Sequence, residues 1–243
     1  MAYWDISTAF YSGKSLFIGD LVPNGSSIRF KPDGLIMYLV DVLDQTIYQY
    51  TLSIAWDITT AVYSGKCFDV GRQDGIPRDI SFNPDGSIMY MLGDSNKTVF
   101  QYDLGFKKHT PWDISSAKYT RITLDISDQD PHPWGLFFNS YGTKFYTLGA
   151  YYRGIFQYNL SVPWDITSGL FSGIFFCTDD QDAHPTKMAF SPDGKNLYTV
   201  NVDTDTVYQY TLSIPWDLST AVYSNKYLYI GDQDTLAYGI SFS

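Results

Sequence analysis

The sequence has little positive charge. Lysine and arginine number 16 against 26 acidic residues, which leaves a net charge of −10. Nucleic acids and anionic membrane surfaces are bound through basic patches, so this balance argues against both as partners. No apolar run approaches the roughly 20 residues that span a bilayer. The N-terminal "MAYWDISTAF" has no basic segment followed by an apolar one, so no signal peptide is predicted and the localisation stays open.

Groups that carry common catalytic chemistry are also scarce. Only two cysteines are present, Cys67 and Cys177; they form no Cys-x-x-Cys pair and are expected to be free and buried. The chain contains no Gly-x-Ser-x-Gly motif and no glycine-rich phosphate loop. These absences give nucleophilic catalysis little support.

Aromatic residues, by contrast, make up 18% of the chain, a bias typical of β structure. A tryptophan–aspartate element recurs at intervals of 52, 56, 52 and 52 residues. Its tryptophans are Trp4, Trp56, Trp112, Trp164 and Trp216. The four extra residues of the long interval fall in "GFKKHTP", between two markers that stay in register, which predicts a loop insertion on a repeated scaffold.

Each repeat contains four short strand candidates separated by turn residues. In the fourth repeat these are "KMAFSP", "NLYTV", "TVYQYTLS" and "KYLYIGD", with Asp193-Gly194 between the first two. An Asp-Gly pair between alternating runs predicts a hairpin, because glycine tolerates the positive φ of a tight turn. Four strands in a unit of about 50 residues match a β-propeller blade. We therefore predict an all-β fold, a single β-propeller domain over residues 1–243 with four complete blades and parts of a fifth.

The segment "MAFSPDGKNLYTVNVDTDTVYQYTLS" resembles the repeat of bacterial surface-layer-type propellers. It is similar, more distantly, to lactonase-like propellers and WD-repeat proteins. The resemblance extends over the whole chain and implies the blade order: an innermost strand before the Asp-Gly turn, two middle strands, and an outermost strand after the tryptophan. It implies no particular activity.

Counted this way, the chain has an outermost strand, four complete blades and a final innermost strand ending in "GISFS". We therefore expect the chain to be a fragment of a longer repeat array. The fragment either closes as a defective ring or is completed by another chain. Unpaired strand edges favour such association, including a homo-oligomer formed through the incomplete blade.

The tryptophan of each element is expected to fill the space between neighbouring blades, and its aspartate to cap the following turn. A second aspartate recurs in the loop that leads into the innermost strand. The positions are Asp74, Asp130, Asp182 and Asp234. Their main interpretation is turn capping by local bonds to backbone amides. On this interpretation we expect no cofactor. The alternative is a ring of these carboxylates around one ion, which would be Ca²⁺.

Variable side chains on this repeated frame are the candidates for ligand binding. Trp134, Tyr151, Tyr152 and Arg153 form an aromatic and cationic cluster of the kind found in binding hot spots. The loops add His132, His184, Arg78 and Tyr238, with the histidines also weighed as metal ligands. The acidic residues between the middle strands, among them Asp41 and Asp94, are expected to be solvated.

Three functions fit these features. The leading hypothesis is a non-enzymatic scaffold or binding module for a protein or carbohydrate, displayed on a cell surface or virion. The second is a metal-dependent hydrolase of the lactonase-like type, which needs one asymmetric set of residues. The third is a lectin with one site per blade, which needs an equivalent exposed tryptophan in every repeat.

Overall fold

The computed structural model describes residues 4–105 and 110–242, which excludes most of the "GFKKHTP" insertion. These described residues form sixteen strands in four antiparallel sheets and five one-turn 3-10 helices. Within these residues no helix has the length and apolarity needed to cross a bilayer. The predicted fold class is confirmed: the protein is all-β, built from four-stranded propeller blades. The strands fall into two compact units, residues 11–128 (the amino unit) and residues 4–10 with 129–242 (the carboxyl unit). Whether they constitute one domain stays a prediction.

The amino unit contains two blades. The first is formed by β1 (Gly25–Phe30), β2 (Ile36–Asp41), β3 (Thr46–Leu52) and β4 (Ala61–Asp69). The second is formed by β5 (Pro77–Phe82), β6 (Ile88–Gly93), β7 (Thr98–Asp103) and β8 (Lys118–Asp125). Each sheet is a simple meander in which consecutive strands are neighbours. One-turn helices at Ile58–Thr60 and Ile114–Ser116 precede β4 and β8.

The carboxyl unit also contains two blades. The first is formed by β9 (Pro133–Phe138), β10 (Lys144–Gly149), β11 (Gly154–Leu160) and β12 (Gly169–Cys177). The second is formed by β13 (Pro185–Phe190), β14 (Asn196–Asn201), β15 (Thr206–Leu212) and β16 (Ala221–Tyr229). Both are meanders. One-turn helices occur at Ile6–Thr8, Ile166–Ser168 and Leu218–Thr220.

Burial follows the position of a strand in its blade. The second and third strands are buried along almost their whole length, as in β2 and β14. The fourth strands alternate, with Val62 and Leu170 among the exposed residues. Because a fourth strand has one face on the sheet core and one in solvent, Cys67 and Cys177 of these strands are exposed. The prediction of buried thiols is therefore wrong.

A tryptophan and a glycine form the joint of each blade. Trp112 has a φ of 70° and donates its backbone N–H to the carbonyl of Gly86 at 3.0 Å. A β-carbon built on Gly86 would lie 2.2 Å from the indole of Trp112. The same pairing joins Gly34 to Trp56, Gly142 to Trp164 and Gly194 to Trp216. The glycine of each Asp-Gly turn is thus required both by its positive φ and by the ring above it.

The tryptophan also joins its blade to the preceding blade of the same unit. In the amino unit, the hydroxyl of Tyr38 in the first blade donates to the carbonyl of Trp112 in the second at 2.5 Å. The Trp112 ring packs at 5.2 Å on Phe82 of its own blade, and the Phe82 ring lies 4.6 Å from that of Tyr38. Gln49 accepts the backbone N–H of Ile114 at 3.1 Å. Bonds from one blade therefore fix the first turn after the tryptophan of the next, as predicted for a residue between blades.

The aspartate after the tryptophan caps the one-turn helix, as predicted. Asp113 accepts the N–H of Ser115 at 3.0 Å, and Asp217 accepts that of Ser219 at 3.0 Å. The remaining oxygen of Asp113 pairs with Lys66 at 2.8 Å. This cap sets the direction in which the chain enters the outermost strand.

The predicted strands of a fifth blade do not form. No strand is assigned within residues 9–18 or 230–242 of the described chain. A strand is maintained by its ladder partners, and here the second and third strands of that blade have no counterpart among the described residues.

We expect Gly86→Ala to lower the free energy of unfolding by about 2–4 kcal/mol, because the methyl group meets the buried Trp112 ring in a backbone region that L-residues avoid. Gly65→Ala is the matched control, since Gly65 has a φ of 76° but open space around its β-carbon position. It should cost about 1 kcal/mol. Urea unfolding of both variants measures the difference, and equal costs would contradict the role of the ring.

Candidate functional site

The loops at one end of each blade are tied together by the repeated aspartate. We call the loop before the first strand the lead loop and the loop between the second and third strands the middle loop. Asp74, in a lead loop, accepts the N–H of Ile76 at 2.8 Å within its own loop. It also accepts those of Ser95 and Asn96 in the middle loop at 3.1 and 2.8 Å. The capping interpretation is confirmed for this residue, which is fully buried.

The second strand leaves room for this carboxylate by ending in glycine. A β-carbon on Gly93 would lie 2.2 Å from Asp74, and one on Gly149 would lie 2.2 Å from Asp130. Asp130 accepts the N–H of His132 at 3.2 Å. The aspartate of the lead loop and the glycine of the second strand are therefore one structural pair.

The first blade inverts the pair. Val22 occupies the lead-loop position, and the second strand ends in Asp41, which accepts the N–H groups of Asn24, Leu43 and Asp44 at 2.9–3.0 Å. Asp41 is therefore buried, and the prediction that it is solvated is wrong. In the first two blades one carboxylate therefore binds both loops, supplied by the second strand in the first blade and by the lead loop in the second.

The fourth blade departs from this pattern. Asn201 replaces the glycine and accepts the N–H groups of Asp203 and Thr204 at 2.7 and 3.0 Å, the bonds that Asp74 makes in the second blade. Asp182 is still fully buried, but no hydrogen bond of ordinary geometry from the described residues reaches its carboxylate. Burial raises the pKa of Asp182 to about 7, and nearby Thr199 and Asn201 offset that only in part.

We expect the stability of the protein to fall as pH rises from about 4 to 7, because Asp182 has a higher pKa in the folded chain than in the unfolded one. Asp182→Asn removes this loss and should raise the free energy of unfolding at pH 8 by about 1–3 kcal/mol. Asp74→Asn is the control and should lower stability at pH 8, because its carboxylate accepts three amide bonds. Denaturant unfolding at pH 5 and pH 8 measures both; an unchanged pH dependence in Asp182→Asn would contradict the account.

Two histidines occupy the same lead-loop position in consecutive blades of the carboxyl unit. His184 bonds through Nδ1 directly to Oδ2 of Asp203 in the middle loop. His132 faces the ring of Tyr151, at the middle-loop position that corresponds to Asp203, with the ring centroids 6.1 Å apart. The His184–Asp203 pair is about half exposed, so the second imidazole nitrogen, Nε2, is the one left for an incoming molecule.

The predicted aromatic and cationic cluster is arranged in pairs. Tyr151 and Tyr152 lie edge to face at 5.0 Å and are exposed. The guanidinium of Arg153 pairs with Asp179 at 2.8 Å, and the ring of Trp134 lies 5.9 Å from that of Tyr238. The sequence indicated neither the Arg153–Asp179 pair nor the contact between Trp134 and Tyr238, because each joins residues that are distant in the chain.

A buried lysine adds to this end of the carboxyl unit. Lys187 on β13 is only 1% exposed and donates from Nζ to the backbone carbonyl of Trp134. Sequence analysis missed it because its position in the other blades is occupied by serine, aspartate or glycine.

In the amino unit, the remaining predicted residue, Arg78, is paired with Asp94 at 2.8 Å. Asp94 is therefore buried rather than solvated as predicted. The neighbouring Asp79 is fully buried and accepts from Ser27 and from the guanidinium of Arg29 at 2.8 Å. These carboxylates are held by cations of their own unit.

A depression of about 350 Å³ also lies on the amino unit, away from the loops. Asp103, Lys118, Tyr119, Thr120 and Arg121 line it. Its size suits a small ligand, and the Thr120 hydroxyl in its lining donates to the backbone carbonyl of Gln101 at 2.8 Å.

The described residues include no group of three or more His, Cys, Asp or Glu side chains placed to hold a metal ion. Asp74 and Asp130 accept amide N–H groups within their own blades, whereas Asp182 is buried without a hydrogen bond of ordinary geometry from the described residues. Asp234 is exposed and accepts the N–H of Leu236. The alternative of a carboxylate ring around one ion stays a prediction.

The lectin alternative is excluded by the unequal exposure of the tryptophan rings. Trp112 and Trp216 are buried, with 9% and 6% of their surface exposed, whereas Trp56 is 36% exposed. A sugar site in each blade needs an equivalent accessible ring, and the blades do not share one.

Comparison with known proteins shows the fold. No family model and no curated protein sequence matches the chain. A protein from Bacteroides uniformis described as a 6-phosphogluconolactonase is 15% identical and covers 85% of this chain with a TM-score of 0.55. The periplasmic gluconolactonase PpgL of Pseudomonas aeruginosa is 14% identical and also covers 85%, with a TM-score of 0.51. The chain spans 55% of the length of each.

These neighbours show a β-propeller with distant structural similarity to lactonase-like propellers. The leading hypothesis of a non-enzymatic scaffold is contradicted, because the similar solved structures include proteins described as lactonases.

Proposed function

We propose that this chain forms all or part of a hydrolase that opens sugar-acid lactones. The proposal is supported by the structural neighbours described as gluconolactonases and carried by one observation in the chain itself, the His184–Asp203 pair. A histidine held through one nitrogen by a carboxylate has the other nitrogen available as a general base.

The reaction follows from this placement. A water molecule bonds through its oxygen to the lactone carbonyl carbon, while its proton passes to Nε2 of His184. The tetrahedral intermediate then breaks its ring C–O bond, and the ring oxygen leaves as a hydroxyl after receiving a proton from the imidazolium. Asp203 fixes the ring and stabilises the charge it carries between the two steps. One water is consumed and one hydroxy acid is formed.

The predicted relationship to surface-layer-type propellers is part of this proposal. The recurring "PDG" turns, one of them in the form "SPDG", support a relationship to surface-layer-type propellers. Every step above is assigned to protein groups of the carboxyl unit. An assay with and without EDTA tests that assignment.

We expect the purified chain to hydrolyse glucono-δ-lactone above the spontaneous rate, measured by acid release in a weakly buffered indicator assay. His184→Asn and Asp203→Asn should each lower kcat/KM by about 100-fold or more, the usual contribution of a positioned base. Both side chains are about half exposed, and exposed ion pairs add at most about 1 kcal/mol to stability, so both variants should fold.

His132→Asn is the matched control, because His132 has the same loop position and faces the ring of Tyr151, which stands where Asp203 stands in the next blade. It should change kcat/KM less than threefold. Absence of turnover in the wild-type chain, or full activity in His184→Asn, would contradict the proposal.

A further inference from the structure

The fourth strand of each blade contains the same bulge. In the first blade two extra residues of β4, Ser64 and Gly65, are inserted opposite the step from Gln49 to Tyr50. The hydroxyl of Ser64 donates to the carbonyl of Gln49 at 2.6 Å, and Gly65 follows with a φ of 76°. A bulge of this kind needs a residue that enters the left-handed region, which glycine does without steric strain.

Arg121 occupies this position in the second blade. Its φ is 68°, where Gly173 has 80° in the third blade and Asn225 has 57° in the fourth. The bulge itself is unchanged, since Thr120 donates to the carbonyl of Gln101 at 2.8 Å. Glycine and asparagine are the residues that the left-handed region favours, whereas arginine is strained in it. The second blade therefore carries a strain that its counterparts avoid.

Packing does not account for this arginine. A β-carbon built on Gly65 or Gly173 would have no atom within 4 Å, so a side chain at the bulge fills no gap in the core. Arg121 is itself exposed, and burial does not offset its backbone strain. Strained residues that packing does not require are characteristic of binding and catalytic sites.

The charge of Arg121 is also left without an opposite partner. Arg29, Arg78 and Arg153 each pair with an aspartate at 2.8 Å. In the part of the chain that the structure describes, no carboxylate pairs with Arg121, although the sequence has 26 acidic residues. Its guanidinium fork is therefore open to an anionic ligand.

Arg121 lines the depression of about 350 Å³ on the amino unit, together with Asp103, Lys118, Tyr119 and Thr120. Lys118 is paired with Asp103 directly across the ladder, and Asp103 accepts the backbone N–H of Gly105 through Oδ1 at 2.6 Å. The second oxygen of Asp103 can accept a hydroxyl group. The lining thus combines a guanidinium, which suits a carboxylate, with a carboxylate, which suits hydroxyl groups.

We propose that this depression binds a small hydroxy acid, with the ligand's carboxylate on Arg121 and a hydroxyl group donating to Asp103. Its volume lies at the small end of the range for ligand sites. A carboxylate carries one negative charge and a phosphate ester nearly two, so Asp103 in the same lining favours the carboxylate. The site belongs to the amino unit and does not depend on the hydrolysis proposed for the carboxyl unit.

The probe is sodium gluconate, titrated into the full ¹⁵N-labelled chain and followed by NMR. We expect saturable shifts of the backbone amides of residues 118–121. The dissociation constant should rise about tenfold or more in Arg121→Gly, which removes the charge-assisted bonds to the carboxylate. This variant should fold, because Gly65 and Gly173 hold the same position in other blades.

Arg72→Ala is the matched control, since Arg72 is an exposed arginine of the same unit that lies outside the lining. It removes the same charge and should leave the dissociation constant unchanged within about twofold, as expected when distant surface charges are screened by salt. A Tm close to that of the wild type for both variants checks their folding.

Equal affinity of the wild-type and Arg121→Gly chains, or no shift at residues 118–121 at tens of millimolar gluconate, would overturn the proposal. Tighter binding of inorganic phosphate than of gluconate would overturn the assignment to a hydroxy acid. Shifts confined to the loops of the carboxyl unit would place gluconate at the proposed hydrolytic site and would also count against the depression. Lactone hydrolysis is measured separately, so its absence leaves this result unaffected.

Discussion

The fit of a tryptophan ring beneath a glycine turn is the constraint on which each blade depends. Both residues hold a positive φ, which for tryptophan is a costly conformation, of order 1–3 kcal/mol. That cost is offset by burial of the ring and by bonds at both ends of the residue: the N–H reaches the glycine carbonyl, and the carbonyl accepts a tyrosine of the preceding blade. Because the same residue closes its own hairpin and contacts its neighbour, the joint couples folding within a blade to packing between blades.

The loops show how function arises on such a frame. One buried carboxylate per blade ties the lead loop to the middle loop in the first two blades, and the first and second blades exchange which strand supplies it. In the fourth blade Asn201 takes over the bonds, and Asp203 is free to engage His184 on the surface. The asymmetric pair on which the proposed hydrolysis rests is therefore a local departure from a structural rule, which is where an enzyme site on a repeated scaffold is expected.

The sequence predicted what is local and repeated. The period, the Asp-Gly turns and the alternating strands were sufficient for the blade, the order of its strands and the capping role of Asp113 and Asp74. Predictions failed where distant residues decide. Asp41 is buried because its carboxylate accepts the backbone N–H of Asn24 in another loop as well as those of Leu43 and Asp44. The exposure of Cys67 depends on which face of the outer strand it occupies. The pairing of Arg153 with Asp179 and of His184 with Asp203 likewise required the folded loops.

A double-mutant cycle between Gly86 and Trp112 tests the central claim most directly. If the ring is what excludes a side chain at Gly86, the added methyl group should cost several-fold less free energy of unfolding in a Trp112→Ala background than in the wild type, since the ring it would meet at 2.2 Å is gone. A cost for Gly86→Ala that is the same in both backgrounds would show that only backbone strain acts there, and would contradict the account of the joint.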